Sequence, residues 1–159
     1  MLINQTERSE SSDERPKGAL AASLTHLLHR ACQVADSVFN EEAAKTGLTT
    51  RQFAVLVAVA NTRDVSQTGL VQATGIDRST VAEIVKRLLR RDLIKRKRTR
   101  LDARAYAVRL TEAGEALLGE AEPAAKRAEE RLRASFSGAD MASVTTALAQ
   151  LVESYPTLK

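Results

Sequence analysis

Of the 159 residues one is a cysteine, Cys32, none is tryptophan, and the aromatic side chains amount to three Phe and two Tyr. A lone cysteine excludes an intramolecular disulfide and fits a reducing compartment. No apolar run is long enough to span a bilayer, so no membrane partner is expected. The first residues, MLINQTERSESSDERPKG, lack the apolar core of a signal peptide. Residues 1–18 are therefore expected to be a disordered arm, and the protein to be cytoplasmic. Catalytic signatures are missing too: the chain contains no GxSxG, no Walker-type GK[ST], no CxxC and no HExxH. An enzyme is not expected. The two histidines, His26 and His29, stand three apart with no Cys or His cluster to complete a zinc site, so neither metal nor cofactor is expected.

What the chain does contain is a concentrated block of positive charge. From Arg78 to Arg104 there are 11 Lys and Arg against Glu83, Asp92 and Asp102, a local +8 in a chain whose total is +4. The remainder sums to −4, so the basicity is local. Charge runs are most often solvated faces, and cations also favour helix C-termini. The patterning argues for a phosphate backbone instead.

Gly69 to Gly75 reads as a short helix with Leu70, Val71 and Ala73 apolar and Ser66 as N-cap. Gly75 supplies a turn, Ile76 packs beneath it, and Asp77 caps a second helix whose Val81, Ile84, Val85, Leu88 and Leu89 follow helical spacing. That is a helix-turn-helix. Off the apolar stripe lie Arg78, Ser79, Thr80, Glu83, Lys86 and Arg87, short polar groups first and cations further along. A recognition helix needs this order, because its N-terminal residues meet base edges while cations reach phosphates. Leu93 to Arg98 and Ala105 to Leu110 then alternate as a β-hairpin around the polar segment Thr99 to Arg104. With no Asn-Gly or Asp-Gly, a longer tip is expected. Such a basic tip suits the adjacent minor groove, with Asp102 orienting Arg104.

The flanks are helical. Ala19 to Lys45 places Leu20, Leu24, Leu27, Leu28, Ala31, Val34, Ala35, Val38 and Phe39 on one side and ends near Gly47. Thr49 or Thr50 caps a helix with Phe53, Leu56, Val57 and Val59 apolar. Thr111 opens another, which Pro123 is expected to bend or interrupt, and Ala139 to Glu153 forms the last. These helices carry more apolar surface than one chain of this length covers, which a symmetric dimer would bury.

The run GLVQATGIDRSTVAEIVKRLLRRDLIKRKR, followed by Asp102-Ala103-Arg104 and by Arg109-Leu110-Thr111-Glu112-Ala113-Gly114, resembles the MarR family of bacterial winged helix-turn-helix regulators. The resemblance runs from about Leu20 to the C-terminus. It implies a mainly α fold with a small β-hairpin wing, in which residues 19–159 form one domain: 48–110 the DNA-binding lobe, 19–47 and 111–159 the dimerisation helices. The expected DNA-contacting residues are Ser66, Gln67, Asp77, Arg78, Ser79, Thr80, Glu83, Lys86, Arg87, Arg98, Arg100, Asp102 and Arg104. In the family Asp102 and Arg104 would be the wing pair, with the arginine in the minor groove. The resemblance puts dimer contacts on Leu20, Leu24, Leu148 and Leu151, with plain intrachain core as the competing assignment.

Small anionic aromatics often bind in that family between the dimer helices and the DNA lobe. On the first helix Ser23, His26 and Arg30, with His29 beside them, share a side that could hold a carboxylate or phenolate, with Phe53 and Leu56 as apolar walls. The alternative is that the histidines are ordinary surface or interface groups. Peroxide sensors in the same family use an oxidised N-terminal helix cysteine, but Cys32 lies closer to Leu48-Thr49 than theirs and is expected to be a small buried residue. The expected function is a homodimeric regulator of double-stranded DNA, a repressor on a palindromic operator, released by a small aromatic acid or its thioester. A redox-sensing regulator and a nonspecific architectural protein are the alternatives, and the capped recognition helix argues against the second.

Overall fold

The computed structural model describes residues 20, 22–62, 64–98, 106–136, 138 and 140–155. Helix α1 spans Leu24–Glu42, followed by a 3₁₀ turn at Ala44–Thr46, α2 at Thr50–Asn61, β1 at Val65–Ser66 and α3 at Gln67–Thr74. Then come α4 at Arg78–Arg90, β2 at Ile94–Arg98, β3 at Tyr106–Leu110, α5 at Glu112–Ala134 and α6 at Met141–Ser154. Among the described residues no helix is long and apolar enough to cross a membrane. The chain divides into two units, residues 1–33 and residues 34–159, with α1 running through the boundary.

Most helix starts follow the sequence. Thr49 and Gln52 form a reciprocal capping box at α2, Ser66 accepts from Gly69 N at 3.0 Å, and Thr111 accepts from Gly114 N at 3.0 Å. Gly75, at φ 67°, ends α3 with its N–H on the Val71 carbonyl, a left-handed position that a side chain would strain. Two expectations need correction. Of the bend or interruption expected at Pro123, the interruption does not occur: α5 continues through the exposed proline, with Ala121, Ala124 and Ala128 buried on either side of it. Nor is α1 helical to Lys45; it ends at Glu42, and the Thr46 hydroxyl donates to the Ala43 carbonyl at 2.7 Å in the tighter turn that follows.

In the second unit Val55, Leu56, Leu70, Val81, Val85, Leu88 and Ile94 are essentially sealed from water and form the centre of one core. A smaller cluster joins Phe39 and Ala43 to Ala124 and Ala128, with the Phe39 and Phe53 rings 5.3 Å apart. The sheet is antiparallel in the order β1-β3-β2, pairing Val65 with Val108 and Ile94 with Leu110. One contact fixes the wing's root. A Cβ on Gly114 would stand 1.9 Å from the Leu93 carbonyl oxygen, so the first turn of α5 comes this close only with glycine there. Thr111 completes the joint, its N–H on the Leu93 carbonyl at 3.1 Å and its hydroxyl on the Asp92 carbonyl at 2.6 Å.

Candidate nucleic-acid interface

Helix α4 buries Val81, Ile84, Val85 and Leu88 and leaves the opposite side to solvent. At 100° per residue, Ser79, Glu83, Lys86 and Arg90 lie opposite that stripe, with Arg78 and Arg87 flanking them; all are exposed. The Asp77 carboxylate starts the helix. One of its oxygens accepts from the Thr80 N–H at 2.9 Å and from the Ser79 hydroxyl at 2.5 Å. The Ser79 and Thr80 hydrogen bonds hold this carboxyl far below the usual carboxylate range, so it is ionised at neutral pH. Among the described residues Arg78, Arg87 and Arg90 have no ion pair or side-chain hydrogen bond, and Lys86 reaches only Glu83, at 4.0 Å. Their charge is available to an outside anion.

Not every cation of the basic block faces outward. Arg91 donates to the Gly47 carbonyl at 3.0 Å and the Thr46 carbonyl at 3.1 Å, tying the end of α4 to the turn before α2. At the wing's root, Arg109 grips Asp64 through both carboxylate oxygens, and Lys97 on the neighbouring strand stands 3.9 Å from the same carboxylate. That hydrogen bond raises the Arg109 pKa above its usual value. Arg98 ends β2, paired with Tyr106. Arg100, Asp102 and Arg104 lie outside the described residues.

Ser66 and Gln67 are exposed at the start of α3, so the structure brings them, the α4 residues and the wing strands into one unit. The residues named for an effector divide between the units. In the first, Ser23 accepts the His26 N–H at 3.4 Å, the His29 ring meets the Gln33 amide at 3.2 Å, and Arg30 is exposed. In the second, Phe53 is half-buried against Phe39, and Leu56 is wholly inside the core. Leu20, Leu24, Leu148 and Leu151 are exposed in the single chain. Cys32 is exposed as well, contrary to the burial expected, within a stretch of α1 from His29 to Val34 that is exposed on every side in the single chain.

Sequence reasoning missed a cleft of about 500 Å³ lined by Asp36 and Asn40 from α1, Thr49 to Gln52 from the start of α2, and Ser79, Thr80, Glu83, Ile84 and Arg87 from α4. Thr50 is among the lining residues, and its buried hydroxyl has no hydrogen-bond partner among the described residues. The groups come from three stretches far apart in the chain, so no local pattern announced them.

Residues 46–105 match the model of the MarR family. The chain is 33% identical over 129 residues to the HTH-type transcriptional repressor NicR of Pseudomonas putida, covering 81% of this chain and 82% of NicR. Its fold matches that of BpsR from Bordetella bronchiseptica, described with regulation of its DNA binding by 6-hydroxynicotinic acid (TM-score 0.75, 30% identity, 86% of this chain and 96% of that one). It also matches the repressor CouR bound to a 23-mer DNA duplex (TM-score 0.76, 29% identity, 85% and 96%). CouR from Rhodococcus jostii bound to p-coumaroyl-CoA matches likewise (TM-score 0.72, 27% identity, 89% and 98%). With its helix-turn-helix, three-stranded wing sheet and flanking helices, the chain belongs to the MarR family of DNA-binding transcriptional regulators.

Proposed function

We propose that the protein is a homodimeric repressor that occupies a palindromic operator and is released from it by a small aromatic acid or its thioester. The observation that carries the DNA reading is the outer side of α4, where Arg78, Arg87 and Arg90 stand unpaired among the described residues beside the Ser79 and Thr80 positions. Unpaired cations beside short polar groups suit phosphates and base edges respectively. A dimer is supported by Leu20 and Leu24, 63% and 66% exposed, and by α6, in which no residue is buried. Two copies would present two recognition helices to one inverted repeat.

The effector class rests on the relatives, since BpsR is regulated by 6-hydroxynicotinic acid and CouR binds p-coumaroyl-CoA. An effector must favour the DNA-incompetent dimer, and tenfold release needs only about 1.4 kcal/mol of differential affinity. Ser23, His26 and Arg30 offer charge-assisted contacts for its anionic group. A second location is supported by the cleft beside α4, whose volume suits a small aromatic acid and which Arg51 and Arg87 help to line. The test begins with genomic occupancy, which yields the operator and the neighbouring genes. Aromatic acids and thioesters are then titrated into the protein–operator complex. Arg30→Ala and His26→Ala should keep operator binding and lose the response; if Thr50→Val alone loses it, the effector sits in the cleft. A complex that no aromatic acid or thioester dissociates would refute the effector class.

A further inference from the structure

The polarity of the reading face follows from hydrogen-bond accounting at its first residues. Ser79 has a single hydroxyl proton, and the structure shows where it goes: to the Asp77 oxygen, 2.5 Å away. Asp77 has no proton to give in return, because it is an ionised carboxylate capping the helix. The hydrogen bond therefore has one direction, and Ser79 is left with lone pairs only. One helical turn on, Glu83 occupies the same outward side and is also acceptor-only when ionised. Among the described residues its one ion pair, with Lys86 at 4.0 Å, joins side chains that are both more than 60% exposed, so it is weak and does not occupy the carboxylate. The cations that share the face, Lys86 and Arg90, come later along the helix, on the side where backbone phosphates are met.

From this arrangement we propose that α4 reads the operator through an acceptor-only pair, Ser79 and Glu83, and so requires exocyclic amino groups in the major groove: cytosine opposite Glu83, and cytosine or adenine opposite Ser79. The inference rests on α4 being the reading helix, as argued above. In the major groove only cytosine N4 and adenine N6 donate hydrogen bonds, while guanine O6 and N7 and thymine O4 accept. A carboxylate facing an acceptor edge loses its water and gains nothing, so the pair excludes as well as selects. Four residues of helix rise about 6 Å. With base steps of about 3.4 Å, the two amino groups belong roughly two steps apart.

The test is selection from a duplex library by the full-length wild type and by Ser79→Ala, Glu83→Gln and Arg87→Ala. All three positions are exposed, and Asp77 still caps Thr80 in each, so matching circular dichroism is expected, with only a small melting shift in Ser79→Ala from its lost bond to Asp77. Wild type should enrich an amino-bearing base at two positions two steps apart. Replacing the selected cytosine with the pyrimidinone analogue that lacks the amino group should weaken binding roughly 10- to 150-fold, the value of a hydrogen bond to a charged group. Glu83→Gln should shift that position from cytosine toward adenine, since an amide both donates and accepts, and Ser79→Ala should erase preference at its own position alone. If Glu83→Gln selects the same bases as wild type with the same penalty for the analogue, the acceptor rule is wrong while α4 remains the reading helix. If all three variants bind the wild-type operator unchanged, the assignment of α4 falls with it.

Discussion

Helices α4 and α6 have similar lengths and opposite circumstances. The apolar side of α4 is closed inside its own chain, by Val81, Ile84, Val85 and Leu88, and its outer side carries cations with little to neutralise them. In α6 no residue is buried, and Leu148, Leu151 and Val152 lie open at 46%, 36% and 72% exposure. Charge pairing separates the regions similarly. Where Arg78, Arg87 and Arg90 of α4 are unpaired among the described residues, the arginines of α5 are matched: Arg127 with Glu42 at 2.9 Å, Arg131 with Glu41 and Glu42, and Arg133 with Glu129. One region is finished within the chain and presents charge to an outside anion. The other has its arginines paired and its apolar surface unfinished, as an element does that is completed by association.

That contrast can be broken from either side. Its largest consequence is electrostatic: if two copies of the α4 and wing surface contact six to ten phosphates, operator affinity should fall roughly 10³- to 10⁵-fold between 50 and 200 mM salt. Affinity that stays flat across this range, measured by fluorescence anisotropy, would mean the free cations do not meet DNA. Next comes the closed core. Leu56 is wholly buried, so Leu56→Ala should cost about 2 to 5 kcal/mol in urea unfolding. A loss under about 1 kcal/mol would place Leu56 beside a cavity able to collapse.

On the other side of the comparison, Leu148→Asp combined with Leu151→Asp should leave the chain folded, since neither side chain is buried within it. It should convert the two-chain species to single chains in sedimentation and reduce operator affinity by at least about tenfold through the lost second half-site. Unchanged mass would move the interface off α6. The smallest effect is at low pH. Hydrogen bonds hold the carboxyls of Asp77 and Asp140, and arginine contacts that of Glu42, below their ordinary values of 3.8, 3.8 and 4.5. The folded chain therefore binds fewer protons than the unfolded one there, so stability is full above those values and declines as pH falls through and below them. Unfolding midpoints measured from pH 6 to 3 should show the decline, less steeply in Asp77→Asn.

Local chemistry was the legible part. Ser66, Asp77 and Thr111 cap the helices that the sequence assigned to them, because a cap depends on residues three positions apart. What the sequence concealed depends on distant partners. Strand β1 has two residues, Val65 and Ser66, too few for any periodicity, and exists by pairing with β3. Arg91 counts as one more cation in a basic run, yet its guanidinium serves carbonyls 44 and 45 residues away. Pro123 argues locally against an unbroken helix, yet α5 runs through it, with Ala121, Ala124 and Ala128 buried in the core. The cleft beside α4 needs three separate segments at once, so it emerges only from the fold.

The account stands most directly on selection of random duplex DNA by the full-length protein, with the mass of each bound complex determined. It predicts enriched inverted repeats whose half-site centres lie roughly one helical turn, about 10 bp, apart, each duplex carrying two chains. Enrichment of a single unrepeated site held by one chain, or no enrichment over scrambled DNA at equal salt, would contradict it.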